Sequence, residues 1–100
     1  MRRERLYISG PITGTTDAEE RFRKVADMYK DRFDIVNPYE VFKTVGFLYQ
    51  KEILDLCLNL LSECDYVYFM AGWQKSLGCQ CEYGYSYGAN QKGDITMMFE

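Results

Sequence analysis

Short strand-like segments alternate with helix-like segments along this chain, and this alternation constrains the fold more than any other feature. The predicted strands are Arg5–Ser9, Phe33–Asn37, Asp65–Met70 and Asp94–Phe99. Strands that alternate with helices through short connections form parallel sheets with right-handed crossovers. The sequence therefore predicts one α/β domain, 1–100, built on a mainly parallel sheet.

The first predicted helix follows a capping box made by Thr16 and Glu19. Apolar residues then recur at helical spacing, at Phe22, Val25, Ala26 and Tyr29. Pro38 is expected to stop the second strand, and 39–46 is predicted to be a loop.

A second helix is predicted from about Leu48 to Glu63, and its apolar face is about twice as broad as contact with a sheet requires. That breadth indicates either a subunit interface or a fully buried helix. A third helix opens within 71–78 and continues to about Asn90. Gly84 and Gly88, four residues apart, are expected to let this helix lie close to the sheet.

The composition limits the possible partners. The chain has 47% apolar residues and 16% aromatic residues, which suits a packed core, and its net charge of −3 disfavours a nucleic acid polymer. No apolar run approaches the roughly 20 residues that a membrane span requires, so no membrane partner is expected. We expect a cytoplasmic protein whose four cysteines stay reduced, with no metal and no cofactor.

Ligands of open parallel sheets bind beyond the carboxyl ends of the strands, which directs attention to 9–14, 37–40 and 71–78. If Ser76 caps the third helix, the amides of Gly78 and Cys79 form a positively polarised site for an anion. Glu82 lies one turn further along the same face. It is either a nucleophile below a phosphate site or a surface residue of the helix.

Other candidates allow two interpretations each. Tyr7 either orients the Glu82 carboxylate or is a half-buried strand residue. The turn Gly10–Gly14 could wrap a sugar or phosphate, and Trp73 either covers a base or packs at the rim. Because the chain has no histidine, hydrolase machinery based on Ser-His-Asp or Cys-His is excluded. A carboxylate nucleophile, as in retaining glycosidases, fits the remaining residues best.

Three segments carry a resemblance to a known family: Leu6–Gly14, Cys64–Tyr68 and Gly72–Glu82. Together they resemble the nucleoside 2-deoxyribosyltransferase superfamily, and especially its short bacterial and phage members. The resemblance implies a Rossmann-like (flavodoxin-like) three-layer sandwich with a four- to five-stranded sheet.

The same resemblance implies roles for single residues. Glu82 would attack C1′ of the deoxyribose, and Tyr7 would orient it. Ser76 stands where the transferases have an aspartate, as in the branch that hydrolyses deoxynucleoside 5′-monophosphates. Two positions depart from that branch: Thr13 replaces a phosphate-binding arginine, and Cys57 replaces an aspartate.

The sequence thus predicts cleavage or transfer of an N-glycosidic bond in a deoxynucleoside 5′-monophosphate or deoxynucleoside, by a homodimer or higher homo-oligomer. The alternatives are a non-catalytic nucleotide-binding module and a glycohydrolase of an NAD- or ADP-ribose-type ligand. Beside the catalytic pair Glu82 and Tyr7, the predicted substrate-binding residues are Gly10, Pro11, Ile12, Thr13, Gly14, Asn37, Gly72, Trp73, Ser76 and Gly78.

Overall fold

All four strands lie in one parallel sheet, as the alternating pattern predicts. The computed structural model describes residues 3–44 and 50–100. The strands are β1 (Arg5–Ser9), β2 (Asp34–Val36), β3 (Tyr66–Phe69) and β4 (Thr96–Phe99). The helices are α1 (Ala18–Tyr29), α2 (Pro38–Thr44), α3 (Gln50–Ser62) and α4 (Leu77–Gln91), with a short 3-10 turn at Trp73–Lys75.

The strand order is β2-β1-β3-β4, and every neighbouring pair is parallel. Tyr7 lies opposite Val36 on one side and opposite Val67 on the other, so β1 is a central strand. The order reverses between β1 and β3, and the crevice at such a reversal is where this class of sheet binds ligands.

The helices cover both faces of the sheet, which gives three layers compatible with the predicted Rossmann-like fold. On one face, Leu6 and Ile8 pack against Phe22 and Val25 of α1. On the other, Tyr7 and Val67 pack with residues of α3 and α4. Because strand side chains alternate between faces, one strand serves both cores.

Three local predictions were wrong. The Thr16–Glu19 capping box is not formed: α1 begins at Ala18, and its N-cap Asp17 makes no side-chain capping hydrogen bond. Part of the predicted loop is α2, because Pro38 is suited to the first position of a helix and its missing N–H is not needed there. Residues 45–49, which include the start predicted for the second helix, lie outside the described part.

The third wrong prediction concerns Gly84 and Gly88. Both are exposed on α4, and a Cβ added at either would meet nothing within 4 Å. They therefore face away from the sheet, which is contacted by Cys79, Glu82 and Ser86 of the same helix. On α3, the apolar positions other than Cys57 and Leu61 are half-buried, so neither alternative proposed for that helix is decided.

Candidate active site

The carboxylate of Glu82 lies in the interior, between α4 and the central strand. α4 begins at Leu77, and Ser76 is its N-cap, as predicted. Cys79, Glu82 and Ser86 follow at spacings of three and four residues, which puts them on the buried face. Glu82 is only 6% exposed, and it is the one charged residue in the sequence of α4.

Two hydroxyl groups of β1 hold this carboxylate. The Tyr7 hydroxyl donates a hydrogen bond to Oε2 of Glu82. The Ser9 hydroxyl donates to Oε1 at 2.8 Å. Each carboxylate oxygen can accept more than one hydrogen bond, so each keeps a free lone pair. The structure thus brings the predicted pair Glu82 and Tyr7 into direct contact.

Burial and hydrogen bonding act on the Glu82 carboxyl in opposite directions. Burial raises its pKa above the usual glutamate range, because the charged form loses water. The hydrogen bonds from Tyr7 and Ser9 favour the charged form and partly offset that rise. The pKa of Tyr7 is raised well above its ordinary value by burial and then by the charge of Glu82, so Tyr7 remains a donor.

Sequence reasoning missed Ser9, although a signal for it existed. Ser9 is two residues after Tyr7 on β1, so the two side chains must point to the same face. A polar residue at the carboxyl end of an otherwise apolar central strand is a candidate for the same cluster. It is fully buried and bonded to Glu82.

Two thiols complete the surroundings of the carboxylate. Cys57 of α3 interacts with the Tyr7 hydroxyl, and Cys79 of α4 interacts with the hydroxyls of Ser76 and Ser9. Burial raises the pKa of both thiols, which keeps them protonated. Cys57, which stands where the monophosphate-hydrolysing branch has an aspartate, therefore borders the polar cluster.

The loops after β1 and β3 lie against each other beside this cluster. A Cβ on Gly10 would come within 2.7 Å of the Met70 Sδ atom, so this position favours glycine. Gly72 has a positive φ of 89°, and a Cβ there would contact Pro11 at 3.7 Å. Gly10 thus serves the close approach of the two loops, whereas Gly72 is favoured by its positive φ.

The rest of the first turn lies further from the carboxylate. Ile12 packs against the apolar core on the α1 side. Thr13 and Gly14 are exposed, and Gly14 has a positive φ of 79°. The structure therefore separates this end of the turn from the polar cluster on the α4 side.

Three other predicted residues have structural partners. The Asn37 side chain accepts a hydrogen bond from the Tyr39 amide at 3.0 Å, so Asn37 caps α2. Trp73 stacks on Tyr83 with ring centroids 4.7 Å apart. The Cys79 amide donates to the Ser76 hydroxyl at 3.3 Å, so it is not the free anion-binding donor that the sequence analysis expected. Gly78 lies half-exposed in the first turn of α4.

Two clefts open elsewhere on the described surface. One of about 310 Å³ is lined by Gly84, Gly88 and neighbouring residues at the carboxyl end of α4. The other, of about 480 Å³, lies beside α1 and is lined in part by Arg21, Lys24 and Tyr68. Neither of these two clefts is lined by Glu82 or by a predicted substrate-binding residue.

Two further properties concern the described residues as a whole. Within residues 3–44 and 50–100, no three His, Cys, Asp or Glu side chains are grouped so that they could hold a metal ion. No helix in this part of the chain has the length and apolar character needed to cross a membrane.

Comparison with protein families gives one match. The model of a domain of unknown function, DUF4406, matches residues 4–93. This chain belongs to the DUF4406 family. The DUF4406 match runs from β1 to just beyond α4, so it includes Tyr7, Ser9 and Glu82. No curated protein matches the chain.

Proposed function

We propose that this protein cleaves or transfers the N-glycosidic bond of a deoxynucleoside 5′-monophosphate or deoxynucleoside, with Glu82 as the nucleophile. The observation that carries the proposal is the buried Glu82 carboxylate, bonded to Tyr7 and Ser9 next to the reversal of strand order. Buried carboxylates with a shifted pKa are concentrated at functional sites. The resemblance to the nucleoside 2-deoxyribosyltransferase superfamily supports the same choice of residues.

The proposed reaction has two steps. In the first, a Glu82 oxygen forms a bond to C1′ while the C1′–N bond breaks, and the bonding electron pair leaves with the base. The base takes a proton from water. In the second, water adds to C1′ and loses a proton, and the bond to Glu82 breaks, which restores the carboxylate. If another base replaces water, the second step is a transfer.

Tyr7 and Ser9 have a positioning role in this scheme. Their hydrogen bonds fix the carboxylate plane and leave one lone pair on each oxygen for attack on carbon. They also favour the ionised form, which is the nucleophilic one, against the effect of burial. Glu82 is buried, so in this scheme the residues that cover the carboxylate must move before a substrate reaches it.

The preference for a monophosphate depends on the start of α4. Ser76 caps this helix, and the positive end of the helix dipole favours an anion there. The Ser76 hydroxyl already accepts the Cys79 amide, so it would donate its own proton to a phosphate oxygen. The cytoplasmic location and the homo-oligomer stay predictions.

A non-catalytic nucleotide-binding module is the second candidate. Its support is that both Glu82 oxygens already have donors within the domain and that the two clefts described above lie elsewhere. A buried, satisfied carboxylate can serve fold specificity alone.

Release of free base separates the two candidates. The purified protein is incubated with deoxynucleosides, their 5′-monophosphates and NAD, and free base is measured by chromatography. Glu82→Gln should lower the rate by about a thousandfold or more, because the amide is a poor nucleophile. Tyr7→Phe should lower it by about a hundredfold, because it removes one positioned donor.

The matched control is Glu20→Gln, which changes an exposed glutamate of α1. It should keep the wild-type rate, and circular dichroism should show that all variants are folded. Binding without base release would support the second candidate. Base release that survives Glu82→Gln would remove Glu82 from the mechanism.

A further inference from the structure

The cleft of about 480 Å³ beside α1 lies on the face of the sheet opposite Glu82. One of its walls is α1, and the other is formed by Tyr68, Met70 and Glu100, at the carboxyl ends of β3 and β4. Its volume is within the range of about 300–1,000 Å³ that is typical of ligand pockets in proteins. Parallel sheets of this class bind ligands at their carboxyl ends, so both the size and the position of the cleft suit a small ligand.

Three polar side chains at this cleft have no partner in the described part of the chain. Tyr68 is only 6% exposed, yet its hydroxyl makes no hydrogen bond to another described residue. Asp17 and Lys24 are exposed, and neither side chain forms an ion pair or hydrogen bond with a described residue. A hydroxyl on an otherwise buried side chain normally has a partner, and the cleft is where the partner of Tyr68 would lie.

The charged residues that line the cleft balance each other. Arg21 and Lys24 supply two positive charges, and Asp17 and Glu100 supply two negative charges. This lining gives no net attraction to a phosphate or to a purely cationic ligand. A zwitterion carries one charge of each sign, so it complements both pairs. The remaining lining residues are apolar: Val25, Met28 and Met70.

We propose that this cleft binds a small zwitterion with an apolar side chain, of the class of the apolar α-amino acids. Arg21 and Lys24 hold its carboxylate, and Asp17 and Glu100 hold its ammonium group. The Tyr68 hydroxyl donates to the same carboxylate. The side chain of the ligand lies on the apolar part of the lining.

The Tyr68 hydroxyl is suited to this role as a donor. Burial, and then the charge of Glu100, raise the pKa of Tyr68, so the hydroxyl stays protonated. Asp17, Arg21 and Lys24 follow each other on α1 at spacings of four and three residues, which puts them on one face of the helix. Groups of both signs are therefore within reach of one small molecule.

Two of these residues also hold the loop after β3. Nη2 of Arg21 donates to the Ala71 carbonyl at 2.8 Å, and the Ala71 amide donates to Oε1 of Glu100 at 2.9 Å. Arg21 has further N–H groups and Glu100 has a second oxygen, so both can bind a ligand and keep Ala71. The Ala71 amide should thus report occupancy of the cleft. The proposal does not depend on the reaction proposed at Glu82.

Titration of the ¹⁵N-labelled protein with L-leucine, L-methionine and L-phenylalanine, followed by two-dimensional NMR, tests the site. We expect at least one of them to give saturable shifts in α1, in β3 and at the Ala71 amide. The amine and the carboxylic acid that correspond to that amino acid each lack one charge. Each should bind about tenfold more weakly or worse, because one pair of charges stays unmatched.

The same titration can overturn the proposal. The proposal fails if none of the three amino acids saturates the protein by about 10 mM, or if the shifts centre on residues away from the cleft. Equal binding of the amine or of the acid would show that the cleft does not select a zwitterion.

Lys24→Gln and Asp17→Asn test the two charges separately. Each should raise the dissociation constant of the amino acid by about fivefold or more, because one charged partner is lost. The matched controls are Arg23→Gln and Glu20→Gln, which change exposed residues of α1 that do not line the cleft. Circular dichroism should show that all four variants are folded. A cleft variant that binds as tightly as its control would overturn the assignment.

Discussion

The two faces of the central strand β1 hold chemically different cores. On the α1 side, Leu6 and Ile8 belong to a cluster of apolar and aromatic side chains. On the α3 and α4 side, Tyr7 and Ser9 bond a carboxylate. Since successive strand residues point to opposite faces, four consecutive residues supply an apolar core and a polar cluster at once.

This difference separates what stabilises the domain from what could perform chemistry. Burial of apolar and aromatic surface is the main source of stability on the α1 side. On the other side, a buried carboxylate is destabilising unless it is hydrogen-bonded, and Tyr7 and Ser9 supply those bonds. Changes on the α1 side should therefore affect stability most, and changes around Glu82 should affect activity most.

The largest stability effect is expected from Phe22→Ala on the α1 side. Phe22 is fully buried between α1 and the sheet, so its truncation leaves a cavity. We expect a loss of about 3–5 kcal/mol in the free energy of unfolding. Urea denaturation measures this loss, and base release per folded molecule should stay near the wild-type value.

Met28→Ala is the control for this prediction, because Met28 is an exposed residue of the same helix. It should change the free energy of unfolding by no more than about 0.5 kcal/mol. If Phe22→Ala were as mild as Met28→Ala, the α1 side would not be the main source of stability.

Sequence patterns predicted the features that depend on chain-wide periodicity. Four strands and the amphipathic α1 follow from alternation and helical spacing, whereas the pairing of Tyr7 with Glu82 was chosen from the family resemblance. Features set by single local contacts were missed. The N-terminus of α1 lacks its expected side-chain cap, and Asn37 caps a helix where a loop was predicted.

The glycines of α4 and Ser9 show the same limit. Two residues that are four apart lie on the same face of a helix. The sequence does not tell whether that face is turned toward the sheet or toward the solvent. Gly84 and Gly88 face outward, whereas Glu82 faces the sheet. For Ser9, the pattern indicates the face of the sheet but not the carboxylate that it meets there.

A smaller effect is expected from the pH dependence of stability on the α4 side. The pKa of Glu82 is raised in the folded protein, mainly by burial. Between the unfolded value of about 4.3 and the folded value, the native state binds more protons than the unfolded state. The stabilising contribution of Glu82 to the free energy of unfolding is thus complete below that pH window. It is lost as the pH rises through the window.

Urea denaturation of the wild type and Glu82→Gln at a series of pH values isolates this contribution. Other carboxyl groups titrate in both proteins, so the difference between the two reports Glu82. The wild type should lose stability relative to Glu82→Gln as pH rises. The opposite slope would mean that hydrogen bonds from Tyr7 and Ser9 outweigh burial and lower the pKa.

The smallest effect is expected from Ser86→Ala, one turn beyond Glu82 on the same face of α4. The Ser86 hydroxyl is fully buried and has no hydrogen-bond partner among the described residues. Because a buried polar group without a partner is destabilising, its removal should leave stability unchanged or raise it by up to about 1 kcal/mol. Alanine also has the higher helix propensity.

Thermal denaturation of Ser86→Ala measures this effect, with Ser9→Ala as the matched comparison. Ser9 is equally buried but donates to Glu82, so its removal leaves a carboxylate oxygen with one donor fewer and should destabilise the protein by about 1–3 kcal/mol. A clear loss of stability in Ser86→Ala would mean that its hydroxyl has a partner, such as a buried water. The polar cluster around Glu82 would then extend a full turn further along α4.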